Sequence, residues 1–318
     1  MDAAVPDHVI AALEALAEGK STRDLTARAA AISERYRSGG GSAGVIRDAD
    51  DALAYALTRM PATYAAVRAA LEALSARAPG FAPSSLLDIG CGTGTASLAA
   101  VEVFSSVTSV RLIDQSRPLL ELAAKFLPTA EQCAASIDAT DFAKAEVVLA
   151  AYVLNELDEA AALDLALRAW AATEGALVLI EPGTPAAWAR LMAVRTRLID
   201  QGAVVAAPCP HHAGCPIVPP DWCHFSQRLP RSRLHRLLKS ADAPFEDEKY
   251  AYVVFTRSHI ALEPPRSRVV GPVIEDKAAL TLKLCEPDGG LELRRIGKRD
   301  RESYRAVRRL SWGDRAPS

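Results

Sequence analysis

The sequence predicts an α/β protein built on a doubly wound, mostly parallel sheet. After residue 84, short apolar segments alternate with stretches of helical periodicity, in the order SLLDIG, SVRLID, AEVVLAAYVL and ALVLIEP. Strands that alternate with helices in this way are typical of a parallel sheet covered on both faces. Half of the 318 residues are hydrophobic, which is enough to bury a sizeable core.

We expect three regions along the chain. Residues 1–80 contain two runs of helical periodicity and form an N-terminal helical cap. Residues 81–207 contain the alternating strands and helices of the core. Residues 208–318 contain a cysteine-rich segment, a basic run, the strand KYAYVVFTR, which completes the core sheet, and a hairpin.

Three local signals set the expected breaks in these regions. A glycine- and serine-rich stretch at residues 36–44 separates the two helical runs of the cap, and Pro61 is expected to interrupt the second run. The dipeptide Asp288-Gly289 lies between two apolar stretches near the end of the chain, which is a hairpin signal.

The N-terminal segment MDAAVPDHVI has neither a basic n-region nor an apolar h-region, so no secretory signal is readable. Charged residues interrupt every long apolar stretch, which argues against a membrane span. We therefore expect a soluble, cytoplasmic protein with no membrane partner. Thiols stay reduced in that compartment, so a cysteine cluster there indicates metal binding or catalysis in preference to disulfides.

The charge is distributed unevenly. Residues 1–200 hold 17 basic and 25 acidic residues, whereas residues 201–318 hold 20 basic and 14 acidic residues. A basic C-terminal part on an acidic body indicates an anionic partner, and RNA phosphate is one candidate. The basic positions cluster beside the cysteine segment and in the tail: Arg228, Arg231, Arg233, Arg236, Lys239, Arg294, Arg295, Lys298, Arg299, Arg301, Arg305, Arg308 and Arg309.

The stretch LLDIGCGTGTASLAA places Gly90, Gly92 and Gly94 directly after a strand and before a helix of small residues. Glycines let the backbone turn sharply there and let a ligand approach the N–H groups at the helix N-terminus. The dinucleotide fingerprint needs its third glycine one position later, where this chain has Thr95. That mismatch weighs against a nicotinamide cofactor.

Acidic residues flank the glycine loop. Asp88 precedes the loop, and Asp114 ends the next strand, where a carboxylate can accept both hydrogen bonds of a ribose diol. This combination resembles the class I S-adenosylmethionine methyltransferases, which have a Rossmann-like doubly wound sheet. The resemblance implies that Asp88 and the three glycines shape the pocket for the methionine part, that Asp114 binds the ribose, and that Asp138 lies near the adenine.

Polar residues also follow the fourth and fifth predicted strands. Asn155 and Glu156 come after the fourth strand and Glu181 after the fifth, so all three are expected to face the open side of the pocket and to position a substrate. They are our candidate catalytic residues. The core contains no Asn-Pro-Pro-Tyr motif and no Pro-Cys nucleophile that would identify the atom to be methylated.

Three cysteines, Cys209, Cys215 and Cys223, lie in the proline-rich segment CPHHAGCPIVPPDWCHF. Three thiolates on a proline-stiffened loop can converge on one metal ion or cluster, and Cys285 can supply a fourth. Neighbouring histidines offer a Cys₃His zinc site instead: His211, His212 and His224. Spacing alone favours zinc over an iron–sulfur cluster, and unliganded buried thiols are a third alternative.

The combination of this core with this cysteine segment resembles a methyltransferase-like family of small-ribosomal-subunit assembly proteins, found in bacteria and as a mitochondrial ribosome-associated protein. The matching segments run from about residue 35 to 315: RMPATY at residues 59–64, the glycine loop, CPH at 209–211, CP at 215–216, WCHF at 222–225, PFEDEKY at 244–250 and WGD at 312–314.

This resemblance implies a 4Fe-4S cluster on Cys209, Cys215, Cys223 and Cys285, in place of zinc. It also implies an S-adenosylmethionine-binding, rRNA methyltransferase-like protein that acts on the small ribosomal subunit, with its rRNA and ribosomal proteins as partners. Two alternatives are a noncatalytic iron–sulfur assembly factor that uses the methyltransferase fold to bind RNA, and a small-molecule methyltransferase.

Overall fold

The computed structural model describes residues 4–37 and 44–317. The glycine- and serine-rich stretch predicted at residues 36–44 lies mostly outside them. Within the described part, the N-terminal region is helical, as α1 (Asp7–Ala17), α2 (Thr22–Arg37) and α3 (Ala49–Arg77).

The helix α3 continues through Pro61, so the predicted interruption there is wrong. Proline in a helix interior costs about 3 kcal/mol because one N–H is lost and the ring crowds the preceding turn. Buried side chains occur along the helix from Asp51 to Leu74, and their packing outweighs that cost. At its start, Asp48 caps the helix by accepting hydrogen bonds from the backbone N–H groups of Asp50 and Asp51.

The core is a twisted eight-stranded sheet in the order β3-β2-β1-β4-β5-β8-β6, with β7 also paired to β8. The pairs among β1 to β5 are parallel, whereas β8 is antiparallel to β5, β6 and β7. This strand order, with one antiparallel strand near the end, is the class I methyltransferase arrangement, and it confirms the predicted fold class. The strands are β1 (Ser85–Ile89), β2 (Ser109–Asp114), β3 (Glu131–Ala134), β4 (Ala145–Ala151), β5 (Thr173–Pro182), β6 (Val204–Ala207), β7 (Phe225–Pro230) and β8 (Phe245–Thr256).

Helices cover both faces of the sheet, because alternate residues of each strand point to opposite sides. Leu86, Leu149 and Val178 pack with the side that holds α3, α4 and α5, whereas Leu87 and Leu177 pack with the side that holds α6 and α7. The connecting helices are α4 (Thr95–Val103), α5 (Arg117–Phe126), α6 (Glu159–Ala172), α7 (Pro185–Asp200) and, after β7, the short α8 (Arg233–Leu238).

The strands β6 and β7 lie one after the other along the same edge of β8. Thr256 pairs with Val204 of β6, Tyr250 pairs with Phe225 of β7, and the opposite edge of β8 is occupied by β5. Residues 208–224, which include three of the cysteines, therefore form the loop that connects β6 to β7 along this edge of the sheet. We call this segment the cysteine loop.

The C-terminal part forms a second, antiparallel sheet. Its strands and the helix that follows are β9 (Arg268–Val269), β10 (Ile274–Glu275), β11 (Ala279–Cys285), β12 (Leu291–Gly297) and α9 (Arg301–Val307). The strands β11 and β12 pair in register from Ala279 with Gly297 to Cys285 with Leu291, which confirms the hairpin predicted around Asp288-Gly289. Leu280, Leu282 and Leu284 form a small core on one face of this sheet.

The helix α3 has 29 residues and carries charged side chains along its length, among them Arg59 and Arg68. No helix in the described part of the chain is both long and apolar enough to cross a bilayer.

Candidate functional site

Two adjoining clefts open where the parallel strands end. The first has a volume of about 610 Å³ and is lined by the glycine loop and by residues that follow β4 and β5. The second, of about 380 Å³, is lined by residues that follow β1, β2, β3 and β4. Gly90, Gly92 and Tyr152 line both, so the clefts meet at the glycine loop. Volumes of this size are usual for small-molecule sites.

The glycine loop is shaped by positive backbone torsions. Gly90, Gly92 and Gly94 have φ angles of 66°, 54° and 70°, which side chains other than glycine rarely adopt. A Cβ on Gly90 would lie 2.6 Å from Cγ2 of Val153, whereas a Cβ on Gly92 would meet only Tyr55, at 4.0 Å. The backbone at Gly92 is therefore open to a ligand in the cleft.

Asp88 lies at the end of β1 and is almost completely buried. One carboxylate oxygen, Oδ2, accepts hydrogen bonds from the Ser97 backbone N–H at 3.1 Å and from the Ser97 hydroxyl at 2.7 Å. The other oxygen, Oδ1, is buried on the wall of the first cleft and has no hydrogen-bond partner among the described residues. Burial raises the pKa of Asp88 to about 7. A buried acceptor without a donor is costly, so this oxygen is suited to a ligand that carries an N–H or O–H group.

Asp114 lies on the wall of the second cleft, at the end of β2. Its carboxylate accepts hydrogen bonds from the backbone N–H of Gly92 and of Ser116, each at 2.8 Å. Burial raises its pKa, against these backbone hydrogen bonds. Asp138 is exposed and lines the same cleft, on a 3₁₀ turn after β3. Of the three predicted cofactor carboxylates, Asp114 and Asp138 therefore line the second cleft, and Asp88 lines the adjoining first cleft.

Two tyrosine side chains from the helical cap form part of the walls of both clefts. Tyr36 of α2 and Tyr55 of α3 line both clefts, with their ring centroids 6.2 Å apart. Burial raises the pKa of both phenols. The cap therefore supplies two aromatic side chains beside the glycine loop, a feature that the sequence did not reveal.

The three candidate catalytic residues occupy different environments. Asn155 lines the first cleft and Glu156 lines the second. Glu181 is fully buried behind the cleft wall, where its two oxygens accept hydrogen bonds from the backbone N–H groups of Leu154 at 2.8 Å and Asn155 at 3.0 Å. Burial raises its pKa to about 8. Glu181 thus holds the loop after β4 and does not face a substrate directly.

The Asn155 side chain takes part in the same network. With its amide nitrogen toward the two acceptors, it donates to Glu181 Oε2 at 3.1 Å and to the carbonyl of Tyr152 at 2.8 Å. Tyr152 has a φ angle of 61°, an uncommon conformation for a tyrosine. Unusual torsions of this kind often occur at functional sites.

Sequence reasoning missed the pair formed by Tyr152 and Glu248. The Tyr152 hydroxyl donates to Glu248 Oε1 at 2.8 Å, and both residues line the first cleft. Burial raises the pKa of both groups. Glu248 lies in β8, 96 residues along the chain from Tyr152, so only the sheet topology brings the two side chains together.

The four predicted ligand cysteines line one largely apolar cavity on the α7 side of the sheet. Cys209, Cys215 and Cys223 come from the cysteine loop, and Cys285 comes from the end of β11. Burial raises the pKa of each thiol, to about 12 for Cys285. Among the described residues, no three potential ligands surround a common point at metal-binding distances. The structure thus brings the four thiols together, and ligation stays a prediction.

The rival zinc ligands are placed differently. The Nε2 atom of His211 lies 3.3 Å from the Cys285 sulfur. His212 accepts a hydrogen bond from the backbone N–H of Val205 at 2.9 Å, and His224 stacks on Trp222 with a centroid distance of 4.9 Å. His211 therefore has its side chain beside one of the four cysteines, whereas His212 bonds to β6 and His224 stacks on an aromatic ring.

Two buried arginines lie against the cysteine cavity. Arg195 donates to the carbonyl of His211 at 2.7 Å, and Arg268 donates to the carbonyl of Pro208 at 3.1 Å. Neither forms an ion pair with a carboxylate within the described part of the chain, and only 2% of Arg195 and 6% of Arg268 is exposed. Buried cations are costly without a counter-charge, and these arginines lower the thiol pKa values against the larger effect of burial, so they would stabilise thiolates in the cavity.

The cysteine loop is also attached to the wall of the first cleft. The indole N–H of Trp222 donates to the carbonyl of Gly183 at 3.0 Å. Gly183 lies between Pro182 and Thr184, which both line that cleft. The ring of His224 packs between those of Trp222 and Trp312, with centroid distances of 4.9 and 4.6 Å. The cysteine loop, the cleft wall and the C-terminal segment therefore form one packed unit.

Acidic side chains neutralise three of the five cations in the basic run beside the cysteine loop, whereas Arg233 and Arg236 form no such ion pair in the described part of the chain. Arg228 pairs with Asp247 at 2.7 Å, and Glu246 pairs with both Arg231 at 3.2 Å and Lys239 at 2.6 Å. These three cations of the predicted phosphate-binding run are thus held by the adjacent strand β8, which the sequence alone did not indicate.

A different set of cations remains available at the C-terminal end. Within residues 4–37 and 44–317, five exposed arginines around α9 form no ion pair with an acidic side chain, and we call them the free-arginine face: Arg299, Arg301, Arg305, Arg308 and Arg309. The neighbouring Arg294, Arg295 and Lys298 are paired with acidic residues. The unpaired arginines of the C-terminal part therefore cluster around α9.

Comparison with known proteins gives a family for most of the chain. A family model described as "Mitochondrial small ribosomal subunit Rsm22" matches residues 49–317. The human "Ribosome assembly protein METTL17, mitochondrial" is 29% identical over 291 residues, which is 83% of this chain and 62% of that protein. The "Rsm22-cox11 tandem protein 2, mitochondrial" of Schizosaccharomyces pombe is 24% identical over 323 residues, 83% of this chain and 43% of that protein. The chain thus spans less than two thirds of the length of these relatives.

Solved structures with a similar arrangement include two methyltransferases. Magnesium protoporphyrin IX methyltransferase from Synechocystis, with bound S-adenosylmethionine, is 14% identical and has a TM-score of 0.40, over 71% of this chain and 90% of that chain. The plantazolicin methyltransferase BpumL, with S-adenosylhomocysteine, is 11% identical with a TM-score of 0.44, over 74% and 97%. The strand order described above defines the fold independently of these likenesses.

Proposed function

The chain belongs to the Rsm22 family, and from that premise we propose that it binds S-adenosylmethionine and methylates rRNA of the small ribosomal subunit during assembly, in the cytoplasm. The observation that carries the cofactor assignment is the buried Oδ1 atom of Asp88, which has no hydrogen-bond partner in the part of the chain that the structure describes and lies beside an open glycine loop. The name of the human relative, a ribosome assembly protein, supports the ribosomal part.

The residues at the two clefts fit this cofactor. Asp88 would accept a hydrogen bond from the methionine ammonium, Gly90 to Gly94 would lie against its chain, and Asp114 would accept from the ribose. Asp138 would lie near the adenine, because it lines the same cleft as Asp114 beyond the glycine loop. The cofactor supplies an electrophilic methyl group on a sulfonium sulfur.

The protein itself would contribute orientation and shielding from water. Glu181 and Asn155 fix the loop after β4 through its backbone, so that Tyr152 is held at the junction of the two clefts. Tyr36 and Tyr55 cover the glycine loop. We therefore assign positioning roles to Asn155 and Glu181, and we keep Glu156, which lines the second cleft, as a candidate substrate or cofactor contact.

The cysteine cavity fits a 4Fe-4S cluster in its donor set and in its charge. Cys209, Cys215, Cys223 and Cys285 would be the ligands, and the cationic side chains of Arg195 and Arg268 would offset the negative charge of the thiolates. Cluster binding would require the four side chains to turn toward a common centre. The cluster would join the cysteine loop to the second sheet, a structural role.

The partners we propose are rRNA and ribosomal proteins of the small subunit. RNA phosphates would contact the free-arginine face, since those cations have no acidic partner in the described structure. Acidic residues of β8 form ion pairs with most of the cations in the run beside the cysteine loop.

A cofactor titration combined with a labelled-methyl assay tests the proposal. The wild type should bind S-adenosylmethionine by calorimetry, Asp114→Asn should weaken binding about tenfold or more, and Asp141→Asn, an exposed residue outside both clefts, should not. Assembling small subunits should then acquire label. Cofactor binding without label would support the noncatalytic assembly factor, and a wild type that binds no cofactor would contradict the proposal.

A further inference from the structure

Two guanidinium groups line the first cleft without an ion-pair partner in the described part of the chain. Arg59 comes from α3 and Arg190 from α7, and both lie on the wall of the 610 Å³ cleft. The Nε atom of each is buried and has no hydrogen-bond partner within residues 4–37 and 44–317. Among the residues that the structure describes, neither side chain forms an ion pair within 4.0 Å, although the Arg59 guanidinium lies 5.6 Å from the ring centroid of Tyr36.

The acidic groups near these arginines do not neutralise them directly. Glu248 lines the same cleft, but one of its oxygens accepts from the Tyr152 hydroxyl, and burial raises its pKa. Glu181 attracts Arg190 electrostatically, yet its oxygens accept backbone N–H groups and burial raises its pKa to about 8. Neither guanidinium therefore has a carboxylate within ion-pair distance among the described residues, although Glu248 attracts Arg59 over a longer distance.

Partly buried guanidinium groups are costly unless they are hydrogen-bonded to an anion. A guanidinium presents a rigid fork of N–H donors that matches the two oxygens of a carboxylate or a phosphate. We propose that Arg59 and Arg190 form an oxyanion-binding subsite of the first cleft, beside the glycine loop.

Two ligands could supply this oxyanion, and they share its chemistry. One is the α-carboxylate of the methionine part of the cofactor, and this source rests on the proposed function. The other is a phosphate group of a nucleotide that enters the cleft, which does not require the cofactor. Both would use the same bidentate contacts to Arg59 and Arg190.

Three probes separate the sources. S-adenosylhomocysteine carries the amino-acid carboxylate, 5′-methylthioadenosine has the same nucleoside without it, and inorganic phosphate tests the anion alone. Calorimetry measures the first two, and thermal unfolding in phosphate against chloride at equal ionic strength measures the third. The variants are Arg59→Gln and Arg190→Gln, and the control is Arg197→Gln, an exposed residue of α7 outside the cleft.

A carboxylate source predicts that Arg59→Gln or Arg190→Gln weakens S-adenosylhomocysteine binding about ten- to hundredfold and leaves 5′-methylthioadenosine binding unchanged. A phosphate source predicts that phosphate raises the unfolding temperature of the wild type and that the variants lose this shift. Arg59→Lys, which keeps the charge without the fork, should lose less than Arg59→Gln and checks that the helix still folds.

The proposal is overturned if the arginine variants match the Arg197→Gln control with all three probes. A wild type that binds neither nucleoside would contradict the proposed cofactor, and the phosphate measurement would then decide the subsite by itself.

Discussion

Glu181 shows how burial changes the task of a carboxylate at the end of a strand. Its side chain is completely buried, and its oxygens accept hydrogen bonds from the backbone N–H groups of Leu154 and Asn155. A carboxylate in that position fixes a backbone loop at the edge of the cleft. Because burial disfavours the charged form, the pKa of Glu181 is raised to about 8 from 4.5.

We expect Glu181→Gln to change how stability depends on pH. Between about pH 4.5 and 8, the folded wild type binds a proton at Glu181 that the unfolded chain has released. The free energy of unfolding of the wild type should therefore fall as pH rises through this window, by at most about 1.4 kcal/mol per pH unit, and this part of the slope should be absent from the variant. Urea unfolding at several pH values measures it, and identical slopes would contradict the raised pKa.

Gly90 provides a second test at the residue scale. In Gly90→Ala, the new Cβ would lie 2.6 Å from Val153 and the φ angle of 66° would be strained, so we expect a loss of about 1–3 kcal/mol in the free energy of unfolding and weaker cofactor binding. Gly80→Ala is the matched control, because nothing lies within 4 Å of its Cβ position. Equal stability of the two variants would refute the close approach.

At the scale of elements, the cysteine loop is held from three sides. Arg195 of α7 and Arg268 of β9 donate to its backbone carbonyls, and Trp222 donates to the carbonyl of Gly183 after β5. The salt bridge between Asp221 and Lys283 ties it to β11. Protein contacts alone thus place the loop beside Cys285, where a cluster would add a further link.

We expect Cys285→Ser to remove the iron and to destabilise the C-terminal part, because a ligand shared by distant segments links metal binding to folding. Anaerobically purified wild type should contain about four irons and four sulfides per chain. Cys133→Ser is the control, since Cys133 lies on β3, outside the cavity. Iron retained in Cys285→Ser, or zinc in place of iron in the wild type, would contradict the cluster assignment.

At the scale of the whole molecule, acidic partners determine which cations are available. Three of the five cations in the run beside the cysteine loop pair with Glu246 or Asp247 of β8, whereas the free-arginine face has no such partners in the described structure. From the charges along the sequence alone, both regions would be equally good candidates for phosphate binding. Only the pairing in the folded protein separates them.

We therefore expect Arg305→Gln, Arg308→Gln and Arg309→Gln together to weaken rRNA binding and to make it less sensitive to salt. The log–log slope of affinity against salt concentration should fall by about 0.7–0.9 for each phosphate that the variant no longer neutralises. Filter binding over a salt series measures this. The control is Arg228→Gln with Asp247→Asn, which removes a paired cation without changing the net charge. An equal reduction of slope in the control would assign phosphate binding to the other region.

Features carried by local sequence could be predicted, and features that depend on long-range contacts could not. The glycine loop with Asp88 and Asp114 follows from strand, loop and helix patterns, as does the hairpin of β11 and β12. The pair formed by Tyr152 and Glu248 joins elements that no local pattern relates. The burial of Arg195 could be predicted only weakly, because a charged residue there shares the apolar face of α7 with Leu191 and Leu198.

The division of one edge line into β6 and β7 has a further consequence for how copies of the chain behave in concentrated solution. A long, uninterrupted outer strand offers a row of unsatisfied N–H and C=O groups on which another chain can add, and this is a common route to aggregation. Here the inserted segment 208–224 breaks that row, and at the opposite margin β3 has only 4 residues. The same loop that brings the thiols together thus leaves the central sheet with few consecutive unpaired backbone groups on which an unrelated strand could add.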